Sequence, residues 1–243
     1  GVDTWNAESL TSVNLYDTKS YYYVTANAGL GKRIPTATEP SAASSMNFSQ
    51  FDSVLYYEKD LVNVGKVGRR WFGEQFNIEN TRNFDFTIPN IDTSVPVEIK
   101  INSASRSFGA TSFNFKANAT DLGTLNFAPI VAFSGTEGFE SALNASFTTS
   151  SPTISIKLTY NNGGIPGSIG YLDFIRLKAK RNLVGFGKQF LFFNDAEQTN
   201  IGVGSYNLSN AAAISQVWDV SDIYNVSSYQ NVSGATFSFK VNL

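Results

Sequence analysis

Apolar side chains recur at every second position in run after run of this chain, and a helix cannot use that spacing. Val95, Val97, Ile99 and Ile101 fall on one face of an extended segment, with Glu98 and Lys100 on the other. Ile154, Ile156, Leu158 and Tyr160 alternate in the same way with Ser155, Lys157 and Thr159, and Phe237, Phe239, Val241 and Leu243 close the sequence. Successive side chains of a strand point to opposite faces, so each run predicts a half-buried β-strand. Further strands are expected over residues 20–26, 51–58, 81–88, 111–116, 169–181, 186–193, 201–208 and 214–220. Turn signals separate them: Pro89-Asn90, Asn161-Asn162-Gly163-Gly164, Pro166-Gly167, Asn194-Asp195 and Ser221-Asp222. Many strands at short intervals with no amphipathic helix between them predict an all-β, antiparallel, jelly-roll-like sandwich rather than βαβ units.

Residues 60–68 hold the best helical candidate, but Gly65 and Gly68 would each cost about 1 kcal/mol relative to alanine, so a turn or connector is expected. Residues 34–46 are rich in Pro, Ser, Thr and Ala and have no period. They read as a linker dividing a small N-terminal β segment, residues 1–45, from a sandwich over 46–243.

The chemistry open to such a sandwich is narrow, because the 243 residues include no cysteine and no histidine. Thiolate nucleophiles, disulfides, cysteine-ligated metals and Ser-His-Asp or Cys-His catalysis are excluded within the chain. Charged residues make up 16%, against about 25% in an average soluble domain, and the net charge of −2 leaves no basic footprint for nucleic acid. No apolar run reaches the ~20 residues of a membrane-spanning helix. Neither a metal nor a cofactor is implied: the D-x-[DN]-x-[DN]-G calcium loop and the G-x-x-x-x-G-K-[ST] phosphate loop are both missing. A sandwich-type calcium site built from loop oxygens would leave no signature and stays open.

Three features carry candidate roles. Tyr21-Tyr22-Tyr23 suggests a sugar platform, but alternation points Tyr22 away from its neighbours, which favours packing. Asp173 has the parity of Tyr171, Ile175 and Leu177, so it is expected to be buried and paired, with Arg69, Arg70 and Arg181 as possible partners. Trp71 and Trp218 sit beside turn-forming residues and are expected to be buried anchors at the ends of the sandwich. Glycosidase chemistry would need two carboxylates across a sugar ring, and Glu58, Asp60, Glu74, Glu79, Asp85 and Glu98 give no pairing from sequence.

Four segments in order are more specific: residues 29–34 (Gly-Leu-Gly-Lys-Arg-Ile), residues 56–61 (Tyr-Tyr-Glu-Lys-Asp-Leu), residues 70–74, which contain Trp71, Phe72, Gly73 and Glu74, and residues 217–220, which contain Trp218 and Asp219. The tyrosine-rich run precedes the first, and Leu172-Asp173-Phe174-Ile175 lies between the last two. Together they resemble the region ahead of the catalytic domain in PorU-type proteins, gingipain-like cysteine peptidases that act as sortases of type IX secretion. The resemblance implies a non-catalytic β region that is exported to the outer membrane or cell surface. Its expected partners are a downstream peptidase domain of the same parent, and other secretion components or cargo. It implies no catalytic residue in this chain, because the family's cysteine and histidine have no counterpart here. A carbohydrate-binding module and, further off, a carboxylate-dependent glycoside hydrolase remain the alternatives.

Overall fold

A computed structural model describes residues 4–13, 19, 21, 23–26, 29–66, 68 and 70–243. Sixteen strands and one short 3-10 turn account for the regular structure, and no α-helix occurs among the described residues. The chain divides into two compact units, one of residues 6–11 and 53–180, the other of residues 1–5, 12–52 and 181–243.

In chain order, β1 (Thr4–Asn6) and β2 (Thr11–Val13) pair as a hairpin, followed by β3 (Met46–Phe48) and β4 (Gln50–Glu58). Next come the short β5 (Gln75–Phe76), β6 (Thr81–Thr87), β7 (Val97–Arg106), β8 (Thr111–Ala117) and β9 (Thr120–Phe127). Then follow β10 (Phe139–Phe147), β11 (Thr153–Asn161) and the long β12 (Ile169–Asn182). One sheet has the order β10-β7-β12-β4 with β5 added against β12, and the other has the order β6-β11-β8-β9. Numbered along the eight long strands these orders are 6-3-8-1 and 2-7-4-5, which is the double Greek key of a jelly roll. The fold class expected from the alternation is therefore the one observed.

The inward face of each strand fills the core between the sheets. Val97, Ile99 and Ile101 of β7, Phe113 and Phe115 of β8, Ile154, Ile156 and Leu158 of β11, and Leu172, Ile175 and Leu177 of β12 are all buried. Each such side chain contributes about 1.5–3 kcal/mol relative to staying exposed. Gly170 is required at its position, because a Cβ there would lie 2.6 Å from Phe113 and 2.7 Å from Tyr160.

The second unit closes around a separate aromatic core. β13 (Val203–Leu208) pairs antiparallel with β16 (Phe237–Asn242) and parallel with β3, while β14 (Gln216–Asp219) pairs with β15 (Ser227–Gln230). Phe48, Phe51, Tyr206, Tyr229, Phe237 and Phe239 form its centre. The stretch expected to be a linker is tied into this unit: the Ala37 N–H donates to Ser228 O and the Ser45 N–H to Val203 O, each at 2.8 Å. The two units thus cut across the expected division at residue 45, because Ala37, Met46, Phe48 and Phe51 pack in one core with the C-terminal strands.

Two other expectations differ. The described residues of 20–26 carry no strand, and Tyr22 lies outside the described residues. Residues 186–193 form no strand beyond a single bridge between Phe193 and Asp52. Their aromatic side chains pack on one another, Phe186 with Phe190 at 5.1 Å and Phe190 with Phe192 at 5.9 Å, so the apolar pattern serves side-chain packing rather than a sheet.

Candidate functional sites

The connector after β4 folds over the outward face of β7 and β12. Phe72 is buried with Ala104 and Tyr171, and Val62, Val64 and Ile169 pack around them. Reciprocal backbone bonds between Val62 and Phe72, 2.8 and 2.9 Å long, hold the connector as a narrow loop, and the Gly73 N–H donates to Leu172 O at 2.7 Å. Gly73 leaves little room, because a Cβ would lie 3.2 Å from Lys59 O. Alternation through this bridge sends Phe72 inward and its neighbour outward, so Trp71 is 42% exposed. The expected buried anchor is therefore Phe72, not Trp71. Glu74 accepts hydrogen bonds from the Tyr57 hydroxyl and, at 3.0 Å, from Lys59 Nζ. Burial pushes the Glu74 carboxyl up, but these bonds outweigh it and hold the group below its ordinary value.

Asp173 is 2% exposed and occupies a β-bulge. Leu172 is opposite Ser103 and Phe174 is opposite Asn102, which leaves Asp173 as the extra residue in β12. The bulge reverses the strand's parity: Tyr171 packs outward with Phe72, whereas Ile175 and Leu177 face the core. Asp173 shares a face with Tyr171 only, so the expected burial holds for a different reason. A cover of side chains above the sheet, not the sheet's interior, removes it from water. Its Oδ2 accepts from Arg70 Nη2 at 2.7 Å and from Asn102 Nδ2 at 3.0 Å. Arg70 also grips Glu140 with two donors, at 2.6 and 3.0 Å, and stacks 4.8 Å over the Phe72 ring. Burial raises the Asp173 carboxyl above its usual value, and Arg70 offsets this only in part. Of the other expected partners, Arg69 lies outside the described residues, and Arg181 stacks over Phe51 and Phe186 in the other unit. Glu140 and Asn102, which complete the cluster, carry no local sequence signal; only the register of β10, β7 and β12 brings them together. Among the described residues no group of three or more carboxylates is placed to share a metal ion.

A groove of about 1060 Å³ opens in the other unit. Three runs of chain line it: residues 185–193, residues 213–221 with β14 at their centre, and inward side chains of β13, β15 and β16. Tyr206 and Phe239 stack at 5.4 Å, Tyr229 and Phe239 at 4.5 Å, and Phe192 packs on Tyr206 at 5.3 Å. Glu197, on the 3-10 turn Asp195–Gln198, accepts a hydrogen bond from the Tyr206 hydroxyl. Trp218 lies on β14, where Val217 packs against the core and Trp218 faces the opposite way, 48% exposed. This second expected anchor is likewise corrected to a partly open residue. Asp219 caps the following turn by accepting from the Ser221 N–H at 3.0 Å, and it also lines the groove. Sequence reading placed Trp218 and Asp219 together but missed Glu197 and Tyr206. An isolated glutamate after an Asn-Asp turn gives no sign of the tyrosine that the fold sets against it.

No protein-family model and no curated protein matches the chain. Among solved structures, the dimeric latent form of PorU from Porphyromonas gingivalis superimposes with a TM-score of 0.73 at 17% identity, over 86% of this chain and 20% of PorU. The chain therefore spans about a fifth of that protein's length, and the two share a fold. A CBM36-1 domain of a multidomain xylanase from the hindgut metagenome of Trinervitermes trinervoides overlaps 52% of this chain and 95% of its own length, with a TM-score of 0.35 at 9% identity. The carbohydrate-binding module CBM36 in complex with calcium and xylotriose overlaps 51% and 98% respectively, with a TM-score of 0.34 at 16% identity. Overlaps this loose carry no argument for sugar binding.

Proposed function

We propose that this chain is the non-catalytic β region of a PorU-like sortase of type IX secretion, acting as a scaffold, prodomain-like or partner-docking module ahead of a gingipain-like cysteine peptidase domain. The observation that carries this reading is the superposition on PorU across 86% of the chain, combined with the absence of cysteine and histidine. A peptidase of that class needs a thiolate activated by a neighbouring base, so the chemistry would belong to another part of the parent. The covered face of β7 and β12 fits a structural role. Arg70 there engages both Asp173 and Glu140 and ties β10 and β12 to the connector. Export to the outer membrane or cell surface, and contact with other secretion components or cargo, follow from the same reading. No helix among the described residues is long and apolar enough to cross a membrane.

Reading the parent gene beyond the Leu243 codon tests this directly. The expected result is an α/β domain carrying one cysteine and one histidine within reach of each other. A stop codon, or a following domain without that pair, would overturn the placement. The purified chain itself is expected to cleave no peptide, with or without reductant. Cleavage abolished by mutating one of its own residues would contradict a non-catalytic role.

A further inference from the structure

The groove of the second unit combines three observations that the placement beside a peptidase does not use. The first is an unpaired strand edge. β15 is bonded on one side to residues 35–37, with Ala37 N–H donating to Ser228 O at 2.8 Å and Ser228 N–H to Pro35 O at 2.9 Å. Ser228 thus points its backbone groups away from β14. Trp218 opposite it, in a non-hydrogen-bonded pair, points its own N–H and C=O away from β15. Among the described residues nothing pairs with that edge of β14, and β14 lines the groove along its whole length. Exposed edges with apolar side chains are templates for another strand, and folded proteins ordinarily cover or charge them.

The second observation is charge. Glu197 and Asp219 both line the groove, neither is in an ion pair with a described residue, and Asp219 is near enough to help raise the Glu197 carboxyl, after burial. The only basic residue among the described residues of the lining is Lys188, which is exposed. Two carboxylates set near each other without a cation are unfavourable until one arrives. The third is the floor of Tyr206, Tyr229 and Phe239, buried rings stacked on one another that give the groove an apolar base for the aliphatic stem of a lysine or arginine. The volume of about 1060 Å³ is at the upper end of the ~300–1,000 Å³ of ordinary ligand pockets and leaves room for a short length of chain.

We infer that this groove binds an extended peptide segment that adds as a strand to the open edge of β14 and places a lysine or arginine side chain between Glu197 and Asp219, over the aromatic floor. Main-chain bonds to Trp218 supply affinity for any extended chain, and the two carboxylates select a basic one. This goes beyond the proposed placement and stands or falls independently of it, because it concerns only side chains and an edge present in this chain.

The test titrates the whole chain with a fluorescently labelled heptapeptide of alternating valine and lysine, read by anisotropy. Saturable binding is expected, with the alternating valine–glutamate heptapeptide weaker by about tenfold or more, since charge-assisted contacts are worth about 1.5–3 kcal/mol. N-methylation of alternate backbone amides in the valine–lysine peptide should abolish binding. The pair of shape-preserving changes Glu197→Gln and Asp219→Asn should erase the preference for lysine, whereas Glu98→Gln, on an outward-facing residue of β7, should change nothing. Circular dichroism of the variants separates lost binding from lost folding. Three results would overturn the inference: equal binding of the two peptides, binding that survives N-methylation, or no saturable binding to the folded protein. Occupation of the groove by a second copy, seen as a dimer that Trp218→Ala dissolves, would also overturn it. So would competition of the peptide by xylo-oligosaccharide at the same site.

Discussion

The jelly roll and the aromatic unit are built from similar residues but close in different ways. In the jelly roll every long strand has a partner, the two sheets face each other, and residues such as Phe113, Ile154 and Leu172 reach complete burial. The other unit has a three-stranded sheet, a separate two-stranded ribbon and a run at 185–193 that joins no sheet. Its aromatic residues pack at comparable distances, yet they leave a groove, an open edge and two carboxylates in no ion pair with a described residue. A regular period yields two sheets whose inward faces fill one core. Where the period fails, polar and backbone groups stay available, and the inferred peptide groove lies there.

The largest test of this contrast is a pair of truncations. Phe113→Ala, in the jelly-roll core against Phe76, Phe115, Phe127 and Tyr160, should cost about 3–5 kcal/mol in urea unfolding. Phe192→Ala, half-buried beside the groove, should cost roughly 1–2 kcal/mol, because it gives up only part of its burial. Equal costs would mean that the second unit is as tightly closed as the first.

The polar cover of the jelly roll supplies the next test, and the structure makes it asymmetric. Arg70→Ala leaves Asp173 buried without its cation and should cost about 3 kcal/mol. Asp173→Asn leaves Arg70 half exposed and still paired with Glu140, and should cost less than about 1 kcal/mol. The pH dependence follows from the direction of the shift. Asp173 has a folded pKa above its unfolded one, so its contribution is fully present below about pH 3.9 and declines as pH rises through the folded value. Removing Arg70 raises that value further, so the Arg70→Ala deficit should grow from about pH 4 toward neutrality. Glu74 behaves oppositely: its folded pKa is lowered, so its contribution is present above the unfolded value and is lost as pH falls through the folded one. Urea midpoints of both variants across this range check the signs.

The smallest expected effects are at the two tryptophans. Trp71→Ala and Trp218→Ala remove rings that are 42% and 48% exposed, so each should cost about 1 kcal/mol or less, well below a buried tryptophan. A cost near that of Phe113→Ala at either position would restore it as an anchor.

Much of the jelly roll could be read from alternation, because β11 and the first half of β7 bury one face and leave the other more open. β10 escaped notice because its inward residues, Leu143, Ala145 and Phe147, include only two large side chains and alternate with small ones. The bulge at Asp173 escaped because parity counting assumes one residue per step, and a single extra residue exchanges the faces of everything beyond it. The tryptophans were misjudged from size and neighbouring turns, although the alternation that placed Phe72 and Val217 inward also placed Trp71 and Trp218 outward. The groove was not legible, since it depends on residues 185–193 and 213–221 meeting β13, β15 and β16, and on the lack, among the described residues, of a neighbour along one edge of β14.

Amide hydrogen exchange, resolved at Trp218 with and without the valine–lysine peptide, tests the contrast between a closed scaffold and an open edge most directly. In the free protein the amides of β7 and β12 should be strongly protected and that of Trp218 should exchange quickly, because it has no backbone acceptor among the described residues. The peptide should slow exchange at Trp218 and leave β7 and β12 unchanged. A Trp218 amide already as protected as those of β12 in the free protein, or one that still exchanges quickly when the peptide is bound, would contradict it.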